Sequence, residues 1–435
     1  MLALVLVLLS QVQPDSRVTR VERVPGGRME GGRGGVMSYA FFEAFPASGA
    51  GTTTACSTTP PTGAKGETLT FARTGNATCT RTASGGLATT GIANGDLVVM
   101  SANVPRVEYD SNGVKGLLVE SARTNSCLRS EEFDNAAWSV SAFPPTRTAN
   151  YATAPDGTTT ADRIEFVATG VGQSGPIFQA AAAPLGSASC SVYARMTSGT
   201  GSLPHFINLG AGLYACATCA ITDQSWTRCV VSGTTTATRN YGIGNESTAG
   251  VCFGALPALD VLLWGASCEA GSYATSYIPT TSAAVTRNED VAYCPITLSG
   301  PILSLGVTAQ APYATPDASR LLVRADNGGA TAFSTNLYAT ATGAYVATQA
   351  TGSIEQTTVA VGAWTTPRRV CNTRDGTTAP QYWVDTGFNS YTRVEGLGPI
   401  HTRLYFGNYS SAGVLTPANA ILTRIKADPV SGKCP

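Results

Sequence analysis

Residues 262–287 read LLWGASCEAGSYATSYIPTTSAAVTR, and this stretch decides how the chain is read. It opens as a strand. Leu262, Trp264, Ala266 and Cys268 fall on one face at period two, and Val261 and Leu263 keep the other face apolar. A strand apolar on both sides belongs at the centre of a sandwich, covered by a layer on each side. Glu269-Ala270-Gly271 then breaks the pattern, and Ser272 to Ile278 is rich in aromatic and hydroxyl side chains. Pro279 cannot donate to a ladder, so pairing stops there. Thr280 to Arg287 is small and polar, with the character of a linker. One domain therefore closes here and another opens.

The chain has 435 residues, enough for two or three domains with cores of their own. Lys plus Arg number 28, and so do Asp plus Glu, which leaves no net field to attract nucleic acid or an acidic membrane. Only 13% of residues are charged, against roughly 25% in ordinary soluble domains. Thr, Ser, Gly and Ala take their place, as on extracellular β-proteins. The two histidines, His205 and His401, lie far apart without neighbouring acids, which disfavours histidine catalysis and histidine-rich metal sites. Of the 12 cysteines, only Cys216 and Cys219 form a CxxC, so disulfides in an oxidising compartment suit them better than zinc. Cys56 and Cys79 bracket a Thr/Pro/Gly loop as a plausible local pair, and Cys190, Cys229, Cys252 and Cys268 all fall on expected strands.

Taken in order, residues 1–36 read as a disordered leader or a mis-assigned start, and Met37 opens a β-rich lead-in over 37–124. Leu2 to Leu9 is too short to span a membrane, and no other stretch is offered as a span. The lead-in gathers Arg73, Arg106, Glu108, Glu120 and Arg123 in a chain otherwise poor in charge; ion pairs pinning it to the next domain are the expectation. A first sandwich is expected over 125–291. Strand candidates spaced about 8 to 12 residues apart indicate a second over 294–435. The fold class is thus all-β: two consecutive antiparallel β-sandwich (jelly-roll) domains behind a β-rich lead-in.

Several phrases also resemble a known family. WGASCEAGSYATSYIPT and AAVTRNEDV resemble the closing signature of a domain of bacteriophage fibre and head-spike proteins, with Ser267 and Cys268 departing from its usual form. LTFARTGNATCTR, SANVPRVEYD, KGLLVESARTN and SEEFDNAAW resemble earlier phrases of that family in the same order. The resemblance spans about residues 69–291. It implies a carbohydrate-binding type of β-sandwich on a virion or secreted appendage, and implies no catalytic residue. GAWTTPRRVCNTRDG, QYWVDTG, RLYFGN and ILTRIKA resemble, more loosely, the laminin-G and legume-lectin type.

Candidate site residues follow. Ser191, Tyr193 and Arg195 share one face of an alternating strand, opposite Cys190, Val192, Ala194 and Met196, and Trp138 enters from the first strand. Trp138, Tyr193 and Arg195 therefore make a candidate carbohydrate site, a ring to stack on a pyranose with a guanidinium for its hydroxyls. The competing reading of Tyr193 and Arg195 is an ordinary wet face with a snorkelling arginine; Trp226 and Trp364 read as core. No cofactor is expected beyond one possible structural calcium, for which Glu132 and Asp134 near the first strand and Asp260 before the last supply hard oxygens. Gly172-Gln173-Ser174-Gly175 falls one residue short of a nucleophile elbow, and no Walker, dinucleotide or HExxH motif occurs. The reading is a non-enzymatic glycan-binding protein of a phage or phage-like particle, at the virion surface or extracellular. Its partners are a cell-surface glycan and particle structural proteins, without nucleic acid or membrane, in a homo-oligomer with a trimer favoured. The alternatives are a secreted bacterial adhesin and a polysaccharide-degrading tail-spike enzyme.

Overall fold

The structure is a computed structural model. It describes residues 39–41, 69–81, 91–109, 115–244, 246, 252, 255, 257–295, 304–311, 320–326, 333–339, 343–350, 353–360, 364, 366–373, 381–384, 387–390, 403–406 and 420–428. The leader over 1–36, Met37, Cys56, His401 and the side chain of Trp383 lie outside the described residues. Every described element is a strand, and every pairing between strands is antiparallel. The all-β expectation holds.

The middle sandwich has two five-stranded sheets. The front sheet runs Thr227–Thr235, Gly186–Met196, Leu259–Ala270, Ala161–Phe166, Thr146–Ala152, so the opening stretch does supply the central strand. The back sheet runs Leu213–Thr222, Thr200–Gly210, Arg239–Ile243, Ile177–Ala183, Ser139–Val140. Val192, Ile164, Leu263, Leu203, Ile207 and Ile243 fill the space between them. Cys219–Cys229 ties one layer to the other, and Cys190–Cys268 joins directly opposed residues of adjacent front-sheet strands. Cys216–Cys252 fastens the segment after Gly244 to the back sheet; Cys252 lies on a bend, not on the strand expected for it.

One detail of the central strand departs from strict alternation. Ser191 pairs with Ser267, but Tyr193 pairs with Trp264, so Gly265 and Ala266 together oppose one residue. Gly265 takes φ +65°, the left-handed value that a bulge of this kind demands. The extra residue reverses the phase: Leu262 and Trp264 face outward, while Val261, Leu263, Ala266 and Cys268 face the inter-sheet core. The single face drawn through Leu262, Trp264, Ala266 and Cys268 is therefore corrected.

The C-terminal sandwich is not consecutive with the middle one. Its eight-stranded sheet places Lys115–Val119 beside Ala420–Asp428, which Tyr39–Phe41 also pairs, and Arg106–Tyr109 beyond Lys115–Val119. Its seven-stranded sheet begins with Thr70–Ala72 and Val291–Pro295 against Arg403–Phe406. Leu69, Val107, Leu117 and Val119 share one core with Leu305, Val323, Trp364 and Phe406. Most lead-in strands thus belong to the sheets of the C-terminal sandwich, and the middle sandwich is an insertion between them. Arg123–Asn125 and Val285–Arg287, the points of entry and exit, pair with each other as a two-stranded ribbon.

Buried charge welds the joint. Arg106 bridges Glu120 and Asp290, Asp290 also takes Arg73 at 3.3 Å, and Arg287 reaches Glu120 at 2.8 Å, all with side chains fully buried. The hydroxyl-rich stretch supplies the remaining partners: Ser276 donates from N and Oγ to Glu120 at 2.9 and 2.6 Å, and Thr275 N donates to Glu269 at 2.8 Å. Asn125 donates to the carbonyls of Ala266 and Ile278 and accepts from the N–H groups of Cys127 and Cys268. Buried ions cost desolvation that hydrogen bonds of this number offset. Arg73, Arg106 and Glu120 form the expected ion pairs; Glu108 instead accepts from Thr80 N, and Arg123 lies over the Tyr273 ring.

Candidate functional site

The outer face of the front sheet divides into a covered half and an open half. On the covered half, Tyr193 and Trp264 lie 5.7 Å apart and Tyr277 packs edge-on to Tyr193 at 6.2 Å. The Arg228 guanidinium sits 5.4 Å from the Tyr193 ring, and Ile92 and Leu97 of the lead-in close the cluster. Tyr193 is 3% exposed and Trp138 is 1% exposed. Trp138 belongs to the inter-sheet core, against Phe133 and Tyr241, so the sheet separates the two rings. The expected site of Trp138, Tyr193 and Arg195 is therefore not assembled. Alternation placed Tyr193 on the right face, but the lead-in covers that face. Arg195 alone remains half-exposed, over the buried Trp226 ring at 5.2 Å and 3.4 Å from the Asn94 side chain.

The open half carries an exposed ring. Ala161–Phe166 pairs with the edge strand Thr146–Ala152, and the register shifts between Ala161 and Arg163. Asn150 takes up the irregularity at φ +50° and donates its N–H to Asp162 Oδ1 at 2.8 Å. Asp162 Oδ2 accepts from Phe133 N and Asp134 N, which ties the entry loop to the same point. Burial raises the Asp162 carboxyl to about 6, against the lowering effect of these donors. The next residue, Tyr151, is 52% exposed and faces the Arg163 guanidinium at 5.2 Å. Arg163 forks onto Asp260 at 2.9 and 2.7 Å and reaches Glu165 at 3.0 Å. The hydrogen bonds from Arg163 hold the Asp260 carboxyl below its ordinary value. The result is a ring held against a fixed fork, with two carboxylates beside it. Tyr151 gave no signal in the sequence, because a turn-rich loop hides the strand register that exposes it.

The calcium residues do not converge. Asp260 is engaged by Arg163 and Glu132 by Arg129 at 3.1 Å, and the described residues hold no group of three such ligands. A carboxylate already neutralised by a fixed guanidinium is a poor ligand for a hard cation. Ser174 donates to Glu246 at 3.0 Å.

At the end of the sheet beside Glu165 and Asp260 lies a cleft of about 250 Å³, walled by Phe166, Met196, Pro204 and Leu259. Its apolar walls sit this close because Gly201 and Gly244 have no side chain. A Cβ there would come within 2.7 Å of Met196 Sδ and 2.5 Å of the Phe166 ring.

No family model matches the chain, and no curated protein matches it. Among solved structures, it is similar to the N-terminal CBM22-1–CBM22-2 tandem domain from Paenibacillus barcinonensis Xyn10C. Identity there is 11%, over 67% of this chain and 92% of that one, with a TM-score of 0.22. It is similar also to domains LG4-5 of the mouse laminin alpha1 chain, at 10% identity over 60% and 86%, with a TM-score of 0.21. Superpositions this loose carry no functional weight, and the fold class follows from the strand pairings above.

Proposed function

We propose that this is a non-enzymatic glycan-binding protein that attaches a phage or phage-like particle to its host, with the open half of the front sheet as its binding face. The observation that carries the reading is Tyr151, an exposed ring backed by Arg163 and flanked by Glu165 and Asp260. A ring face takes the C–H side of a pyranose, and fixed carboxylates and a guanidinium take its hydroxyls. The preformed ion pairs keep the ordering cost of binding low. Disulfides, a surface poor in charge and the phrases resembling phage fibre and head-spike proteins support an extracellular or virion setting.

A shallow site with one ring binds weakly, on the order of 4 to 6 kcal/mol, so attachment needs several copies on one particle, most simply a trimer. The test is a glycan array read with wild type and Tyr151→Ala. The variant should lose at least about tenfold in affinity, ~1.4 kcal/mol. Its melting temperature should not move, because an exposed ring contributes little to the core. Undiminished glycan binding by Tyr151→Ala refutes the site. Absence of the protein from purified particles refutes the setting.

A further inference from the structure

The cleft and the Tyr151 face meet around one end of the front sheet. Glu165 and Phe166 are consecutive, as are Leu259 and Asp260; in each pair one side chain belongs to the polar face and the other walls the cleft. The cleft's about 250 Å³ is many times what a single water needs, leaving room for a sugar's methyl-bearing substituent. Its walls are chiefly apolar, and Thr200 and Ser202 place hydroxyls among its lining residues. Val167, 45% exposed, extends the apolar surface outward. An unsubstituted hexose presents hydroxyls to such walls and would leave them without partners. A methyl group does not have that cost.

Resting on the reading of the Tyr151 face as a glycan site, we infer that the cleft is a second subsite selecting sugars that carry a methyl group, as an acetamido or a 6-deoxy substituent. One unit of the glycan lies on Tyr151 and Arg163, and a neighbouring unit turns its methyl between Phe166, Met196 and Leu259. Burying one methyl improves affinity about fourfold.

The test uses two matched pairs on the full chain: N,N′-diacetylchitobiose against cellobiose, and L-rhamnose against L-mannose. Affinities are measured by titration NMR. Wild type should prefer the methyl-bearing member of a pair by about fourfold or more. Ala258→Trp places a large side chain at an exposed position of the cleft wall and should erase the preference, bringing the methyl-bearing member of each pair to its partner's affinity. Thr200→Trp, at another exposed lining position, repeats the test should the first variant fold poorly. Tyr151→Ala should weaken both disaccharides and leave their ratio unchanged. Equal affinity within both pairs for wild type, or a preference that survives in the tryptophan variants, overturns the inference while leaving the Tyr151 reading intact. Failure of every saccharide to bind takes down that reading and this one with it.

Discussion

Replacing His205 should make the middle sandwich far less sensitive to acid. His205 lies on the back-sheet strand Thr200–Gly210, paired with Ala217 and Ile243, fully buried and with its ring edge-on to Tyr241 at 6.3 Å. Neither ring nitrogen has a hydrogen-bond partner. Burial lowers its pKa from 6.5 to about 4, so the folded protein holds the imidazole neutral. Between those values the unfolded chain binds a proton that the folded chain refuses. Stability is therefore fully present above about pH 6.5, falls as the pH drops and stops falling near pH 4. At ~1.36 kcal/mol per unit the whole loss is about 3.4 kcal/mol, of which about 2 kcal/mol has gone by pH 5. His205→Leu is close in volume and cannot titrate. Urea unfolding of both proteins at pH 7.5 and pH 5 cancels every other group shared by the two. The variant should gain about 2 kcal/mol on wild type between those pH values. A wild type–variant difference identical at the two values, or one moving the other way, refutes the buried neutral histidine.

Glu108 should show the opposite sign: burial raises it to about 8, so the folded state keeps a proton that the unfolded chain releases, and stability falls as pH rises from about 4.5 to 8. Its Oε1 accepts from Thr80 N at 2.8 Å while Oε2 has no partner, so Glu108→Gln should gain on wild type across that window in paired melting curves; a constant difference contradicts it. Changing Cys190 and Cys268 together to Ala reopens a loop of 78 residues and should cost about 4.5 kcal/mol in urea unfolding; a loss under about 1 kcal/mol contradicts a closed bridge.

How far the sequence could be read is clearest on the central strand. Val261 to Leu263 is apolar at every position, and only a strand covered on both faces tolerates that. Alternation and strand spacing make the chain all-β, and the crowding of arginines and acids before residue 124 announces ion pairs, because charge this scarce is seldom placed idly. The phase after Gly265 was not legible, since a bulge is a property of two paired strands and a glycine in one of them only permits it.

The sequence by itself determined that the chain is built of alternating strands and where its scarce charges gather, because alternation and composition depend on neighbours one or two residues away. Tertiary structure decided which faces meet water. Tyr193 alternates correctly, yet Ile92 and Leu97, some hundred residues earlier in the chain, share its buried cluster. Tyr151 reads as the start of a turn-rich stretch, yet it lies on the edge strand Thr146–Ala152, where a register shift against Ala161–Phe166 sets its ring against Arg163 in the open. The same holds for the domains: Arg106–Tyr109 and Lys115–Val119 read as part of a separate lead-in and are instead strands of the last sandwich. Hydrophobic burial is roughly proportional to the area removed from water and indifferent to chain order, so a strand joins whichever sheet covers it best.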